Sequence, residues 1–245
     1  MPSDAERFRP LSDLKRVVAG LPFIGPLARS AWKRLEDIRF RDSASYWEQR
    51  YAAGGNSGQG SYDHASRWKA QTVNALVRKY QIRSVIEFGC GDGHQLSLGE
   101  YPSYIGTDIS PSAVGRCILK FAKDDTKSFL VLDPRFIADP LRVIHADMSL
   151  SLDVLFHLVE DDARNTYLRT LFKAADQLVV IYSSNGPIQL PTGAHERHRE
   201  FTSWVTENCP EWTLIEEIRS EDQAERLRIG VEDAGAVHFF VYSKR

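Results

Sequence analysis

Three glycines and two acids frame the chemistry that this sequence offers. The run Glu87-Phe-Gly-Cys-Gly-Asp-Gly93 follows a short β-branched, apolar stretch, and Asp108 closes the next stretch of the same kind. Glycines where a strand meets a helix permit positive φ and close approach of backbone to a ligand, whose polar groups then meet backbone N–H donors. A carboxylate at the end of the following strand is placed to accept hydrogen bonds from ribose hydroxyls. A lone glycine turn would only shape the chain; with both acids in place it points to a nucleoside-bearing ligand.

A second set of side chains is suited to moving a proton. Asp153 ends an apolar stretch and His157 lies one helical turn further on, if a helix starts there. Histidine titrates near neutrality, so His157 is the expected general base, with Asp153 orienting it, binding a substrate hydroxyl or helping to hold a divalent ion. A third set, His195-Glu-Arg-His198-Arg199, follows the polar strand end Tyr182-Ser-Ser-Asn185. Loops after strand ends carry substrate groups in α/β proteins, so Asn185, His195 and Arg199 are expected to contact an acceptor, and His198 is a second candidate base. The plainer readings are a charge-mixed helix start for residues 195–199 and a half-buried histidine for His157. His195 and His198 with Glu196 invite a metal, but this i, i+3 spacing lacks a firm third ligand, and no metal site is assigned. Mg²⁺ held by carboxylates near His157 is a further expectation, because that ion prefers oxygen ligands.

The elements that must position these groups alternate. Apolar stretches at 83–89, 104–109, 128–132, 146–154 and 177–183 read as strands, with helical spacing at 66–80, 113–123 and 162–174. Stretches 212–218 and 236–243 resemble a closing hairpin with no convincing helix between them. Strands alternating with helices predict a mostly parallel sheet wrapped on both faces, with an antiparallel edge. Residues 51–62 hold glycines at 54, 55, 58 and 60 between two tyrosines and read as a loop that closes over something.

Composition narrows the classes. Thirty-one basic against thirty-three acidic residues leave a formal charge of -2, which provides no global field for a phosphate backbone or an anionic bilayer. Nucleic acid is therefore disfavoured as a partner. The segment 17–31 contains two prolines and is too short for a membrane span. Three cysteines without a CxxC pair indicate neither a disulfide framework nor a zinc site and fit a reducing cytoplasm. Cys90 reads as packing. The expected division is an N-terminal helical extension over 1–45, which could cap the site or form a homodimer contact, and a second domain over 46–245.

Over 46–245 the sequence resembles the class I S-adenosylmethionine (SAM)-dependent methyltransferases. Glu87, Gly89, Gly91 and Gly93 match the first motif of that family, and Asp108 matches its ribose-binding acid. A loop Tyr51-x-x-Gly-Gly-x-Ser-Gly58 and the run 151–161 resemble a subgroup associated with sugar or polysaccharide metabolism. The resemblance implies a Rossmann-like α/β fold with a seven-stranded, mostly parallel sheet, and SAM held by Tyr51, Gly58, Glu87, Gly89, Gly91, Asp108, Ile109 and Asp133. Asp133 and Asp147 are both candidates near the adenine or methyl end, and Trp47 is the tryptophan with a plausible ligand role. It further implies transfer of a methyl group to a hydroxyl of a small acceptor, most simply a sugar. An NAD(P)-dependent oxidoreductase is the runner-up, which the Gly-x-Gly-x-Gly spacing opposes. A SAM-binding protein without turnover is the third reading.

Overall fold

The apolar runs become strands. The structure, a computed structural model, describes residues 40–136, 139, 141–186, 193–220, 223 and 236–245. Within them, β1 (Ser84–Phe88), β2 (Ser103–Asp108), β3 (Lys127–Val131), β4 (Ala146–Leu152), β5 (Ala175–Ser183), β6 (Trp212–Ile218) and β7 (His238–Lys244) form a seven-stranded sheet ordered β3-β2-β1-β4-β5-β7-β6. Pairing is parallel from β3 to β5, and β7 runs antiparallel to both of its neighbours. The last strand therefore inserts between β5 and β6. The expected hairpin is present, but its second arm, not its first, lies against the parallel sheet.

Residues 41–245 form one compact unit. The extension expected over 1–45 thus lies almost wholly outside the described residues, and the described unit begins ahead of its first helix. That helix, α1 (Ser43–Ala52), starts where Asp42 Oδ1 accepts the N–H of Ser45 (2.8 Å). Helix α2 (Asp63–Lys79) leads into β1, and α3 (Pro111–Lys120) follows β2. Pro111 opens α3 and Ser110 caps it by accepting the Ala113 N–H (3.0 Å). Helix α4 (Asp161–Lys173) carries Asp161 and Asp162 in its first turn and Lys173 in its last, as the helix dipole favours. A short α5 (Thr202–Asn208) precedes β6, starting after residues 195–199, whose charge-mixed run reads in the sequence as a helix start.

Strand residues divide alternately between two cores. Val85, Met148, Leu150, Val180, Phe239 and Val241 join Val73, Leu76 and Val77 of α2 and Cys117 of α3. Ile86, Phe88, Val179, Ile181, Phe240 and Tyr242 join Leu168, Leu171 and Phe172 of α4 and Val205 of α5. Strands buried in both directions explain the near-continuous apolar runs. The chain leaves β1 toward β2 and β3 on one side and returns to β4 on the other, so the order reverses between β1 and β4. A crevice opens outside the carboxyl ends of strands at such a switch point.

Leu150 of β4 is fully buried. Leu150→Ala is expected to destabilise the fold by about 2–5 kcal/mol, measured by chemical denaturation, through lost burial and the cavity left behind.

Candidate functional site

A cleft of about 910 Å³, its open mouth included, lies at that switch point. This is within the range of small-molecule and cofactor sites. Its wall includes Glu87, Gly89, Gly91, Asp108, Ile109, Asp153 and His157, which the sequence singles out, together with Tyr51 and Trp47 of α1.

The glycine turn is built for close approach. Gly89 (φ +85°) donates its N–H to Thr107 O (2.7 Å), and a Cβ there would sit 2.5 Å from Val154 Cγ2. Gly91 (φ +57°) donates to Asp108 Oδ2 (2.9 Å), and a Cβ there would collide with Ser57 Oγ and lie 2.8 Å from Tyr51 Oη. The other carboxylate oxygen of Asp108 accepts the Ser110 N–H (2.9 Å). Asp108 is buried, and desolvation raises its pKa to about 6 against the pull of these N–H donors. Glu87 is buried more deeply. Desolvation raises it to about 7, although Tyr104 Oη donates to its Oε2 (2.5 Å) and Lys69 is near enough to oppose the shift.

The loop over 53–62 folds onto this turn. Ser57 N–H and Tyr62 Oη both donate to Asp92 Oδ2 (3.1 and 2.8 Å), and Ser57 Oγ accepts the Asp92 N–H (3.1 Å). Arg116 of α3 holds the loop from the other side by donating to Gly55 O (2.6 Å) and to Tyr51 O. Ser57 and Ser61 line the cleft, whereas Gly58 is not part of its wall and instead donates to Asn56 Oδ1 (3.1 Å). Asp133 likewise stands outside the cleft, bound by Arg135 (2.7 Å), while its neighbours Leu132 and Pro134 line it. Asp147 lies near the opposite end of β4 and accepts the N–H groups of Arg83 and Ser84 (2.8 and 3.2 Å).

At the far side of the cleft, Asp153 and His157 both contribute to the wall but do not share a helix face. Asp153 adopts φ +59°, Leu155–His157 form a single 3₁₀ turn, and α4 starts only at Asp161. The carboxylate of Asp153 is ion-paired with the fully buried Lys69 of α2, so it does not orient His157. Sequence reasoning missed Lys69. The available signal was its register, one turn before Val73 on the apolar face of α2. His157 Nδ1 lies 3.2 Å from His195 O, which assigns the proton to Nδ1 and leaves Nε2 as the acceptor. Burial lowers the His157 pKa to about 4, so the ring is neutral at neutral pH.

The remaining predicted acceptor contacts are not cleft groups. Asn185 Oδ1 accepts the N–H groups of Phe201 and Thr202 (2.9 and 3.3 Å), closing the start of α5. Arg199 pairs with Asp161 and donates to Leu158 O. His198 Nδ1 meets Ser184 Oγ (2.7 Å) and its ring stacks on Phe156. His195 stacks on Tyr46 with ring centroids 4.4 Å apart, behind His157.

Solved structures share this architecture. The N-methyltransferase NodS from Bradyrhizobium japonicum, in complex with S-adenosylhomocysteine, is similar over 83% of this chain and 99% of its own, with a TM-score of 0.60 and 14% identity. Magnesium protoporphyrin IX methyltransferase from Synechocystis, with bound SAM, is similar over 84% of this chain and 99% of its own, with a TM-score of 0.58 and 13% identity. The fold is that of the class I SAM-dependent methyltransferases. A curated tRNA (carboxymethyluridine(34)-5-O)-methyltransferase from Arabidopsis thaliana is 30% identical over 139 residues, 56% of this chain, and the chain spans 30% of that relative's length. No family model matches. Among the described residues no helix is long and apolar enough to cross a membrane.

Gly91→Ala is expected to cost about 2–4 kcal/mol in thermal or chemical denaturation, from left-handed strain plus the collision with the loop. Glu87 generates a pH dependence. Its folded pKa lies above the ordinary 4.5, so the folded state holds the extra proton and stability falls as pH rises from about 4.5 to about 7. Glu87→Gln, which still accepts from Tyr104, is expected to remove this loss and stabilise the free protein above pH 7 by up to about 3 kcal/mol. Denaturation curves of both proteins at pH 5 and pH 8 check this; an equal gain at both values contradicts it.

Proposed function

We propose that this chain is a SAM-dependent methyltransferase that methylates an oxygen of a small acceptor. The observation carrying this reading is the cradle of Glu87, Gly89, Gly91 and Asp108 in one cleft at the switch point. Its donor set fits SAM: Asp108 offers a buried carboxylate suited to a ribose diol, Glu87 a buried carboxylate suited to an ammonium group, and the glycines a turn onto which Val154, Ser57 and Tyr51 pack where a Cβ would collide. When bound, SAM supplies an electrophilic methyl group on a cationic sulfonium. The protein must then align the acceptor, exclude water and provide for loss of the acceptor's proton. Trp47, Tyr51 and the loop tied to Asp92 enclose the cleft, and the neutral Nε2 of His157 is a lone pair at its far wall.

The hydroxyl acceptor, and a sugar within that class, rests on the resemblance of residues 51–58 and 151–161 to the sugar-associated subgroup. The Arabidopsis relative acts on a tRNA, but the formal charge of -2 here favours a small acceptor over a polyanion. SAM held through Asp108 and Glu87, and His157 as proton acceptor, are parts of the same proposal.

Calorimetric titration with SAM, S-adenosylhomocysteine and NADH tests it. Saturable binding of the first two is expected, weakened at least tenfold in a folded Asp108→Ala variant by loss of charged hydrogen bonds. Binding of NADH alone would move the reading to hydride transfer. With an acceptor identified by screening sugars, His157→Ala is expected to lower kcat by roughly 10²–10⁴-fold and to leave SAM affinity nearly unchanged.

A further inference from the structure

His157 belongs to a larger donor set. The chain from Gly193 to Glu200 runs beside the 3₁₀ turn Leu155–His157: Arg197 N–H donates to Phe156 O (2.7 Å), and His157 Nδ1 faces His195 O (3.2 Å). Arg197 and Arg199, both paired with Asp161, fasten the same segment. This docking brings one ligand atom each from His157, His195 and Glu196 within 4.8 Å of one another. The rings of His157 and His195 are nearly parallel, with centroids 5.6 Å apart, and His195 Nε2 lies 3.5 Å from Glu196 Oε1. Tyr46 stacked on His195 and Trp47 edge-on to His157 fix both rings from α1.

We propose that His157, His195 and Glu196 form a binding site for a divalent first-row transition ion such as Zn²⁺ or Co²⁺ behind the far wall of the cleft, with His157 as the ligand that reaches that wall. Two imidazoles and one carboxylate leave coordination positions open for an exogenous oxygen. An ion with bonds of about 2.0–2.2 Å sets its ligand atoms roughly 3–3.5 Å apart, so the set closes with small rotamer adjustments. Nitrogen donors make it a poor site for Mg²⁺, so the hard ion expected near His157 is replaced by a softer one. His198, the other histidine considered for a metal, is turned onto Ser184 and Phe156.

This inference rests on the methyltransferase reading for its consequence, not for the site itself. A hydroxyl bound at an open position is acidified because the cation stabilises its alkoxide. Its proton then passes to solvent as the C–O bond forms and the S–C bond breaks; in this metal-loaded form His157 is a ligand, and in the metal-free protein its lone pair remains the proton acceptor.

The test is titration of the untagged, chelator-stripped full chain with Co²⁺ and Zn²⁺, followed by calorimetry and by visible absorption for Co²⁺. One bound equivalent and a d–d band are expected, weakened roughly tenfold or more in both His195→Ala and Glu196→Gln and retained in His145→Ala, whose histidine pairs with Asp176 on the surface. Circular dichroism confirms that each variant is folded. Failure of the wild-type chain to saturate, or unchanged binding in both variants, overturns the site. SAM titration of the stripped protein separates the two proposals: SAM binding without any metal site leaves the cofactor reading standing, and a metal site without SAM binding sinks only that reading.

Discussion

The bond between the Asp108 carboxylate and the Gly91 N–H is the constraint on which the rest of the site depends. It locks the turn after β1 to the end of β2, and the same carboxylate receives Ser110, which starts α3. Turn, strand end and helix start are thereby referred to one side chain. Because Gly91 has no Cβ, Ser57 and Tyr51 can close on the turn from α1 and its loop. The loop, the turn and the cleft wall therefore behave as a single assembly, and movement of one alters the others.

Charge in this assembly is arranged against its own desolvation. Glu87 and Asp108 are taken from water, and burial holds both toward their neutral forms. Lys69 enters from α2 as a fully buried cation, is paired with Asp153 and lies near enough to Glu87 to favour its ionised form. Breaking a buried pair by deleting one partner typically costs about 3–5 kcal/mol, so Lys69 and Asp153 are mutually dependent. A cleft wall rich in carboxylates suits a cationic ligand, whose charge would complete the neutralisation that Lys69 begins.

The far wall depends on a different kind of linkage. His157 comes from the turn after β4 and His195 from the segment after β5, and backbone bonds, ring stacking and the Asp161 ion pairs bring them together. Polar side chains that could have faced an acceptor are consumed in this work: Asn185 closes the start of α5 and Arg199 fastens its segment to α4.

What the sequence by itself determined was local or periodic. Buried parallel strands are continuous apolar runs, so β1, β4 and β5 were legible as such, the more exposed edge strands β3 and β6 as short β-branched or aromatic stretches, and Glu87, the glycines and Asp108 were legible because a strand–turn–helix unit sets their spacing. Tertiary structure alone decided the pairings between distant segments. It placed β7 between β5 and β6, brought Lys69 to Asp153, diverted Asn185 and Arg199 into structural bonds, left Gly58 and Asp133 outside the cleft, and set His157 against His195 rather than beside Asp153. The physical reason is that a hydrogen bond or ion pair between segments leaves no period in the chain. A lysine on a helix or an asparagine at a strand end reads as solvated until the packing of remote residues removes the water from around it.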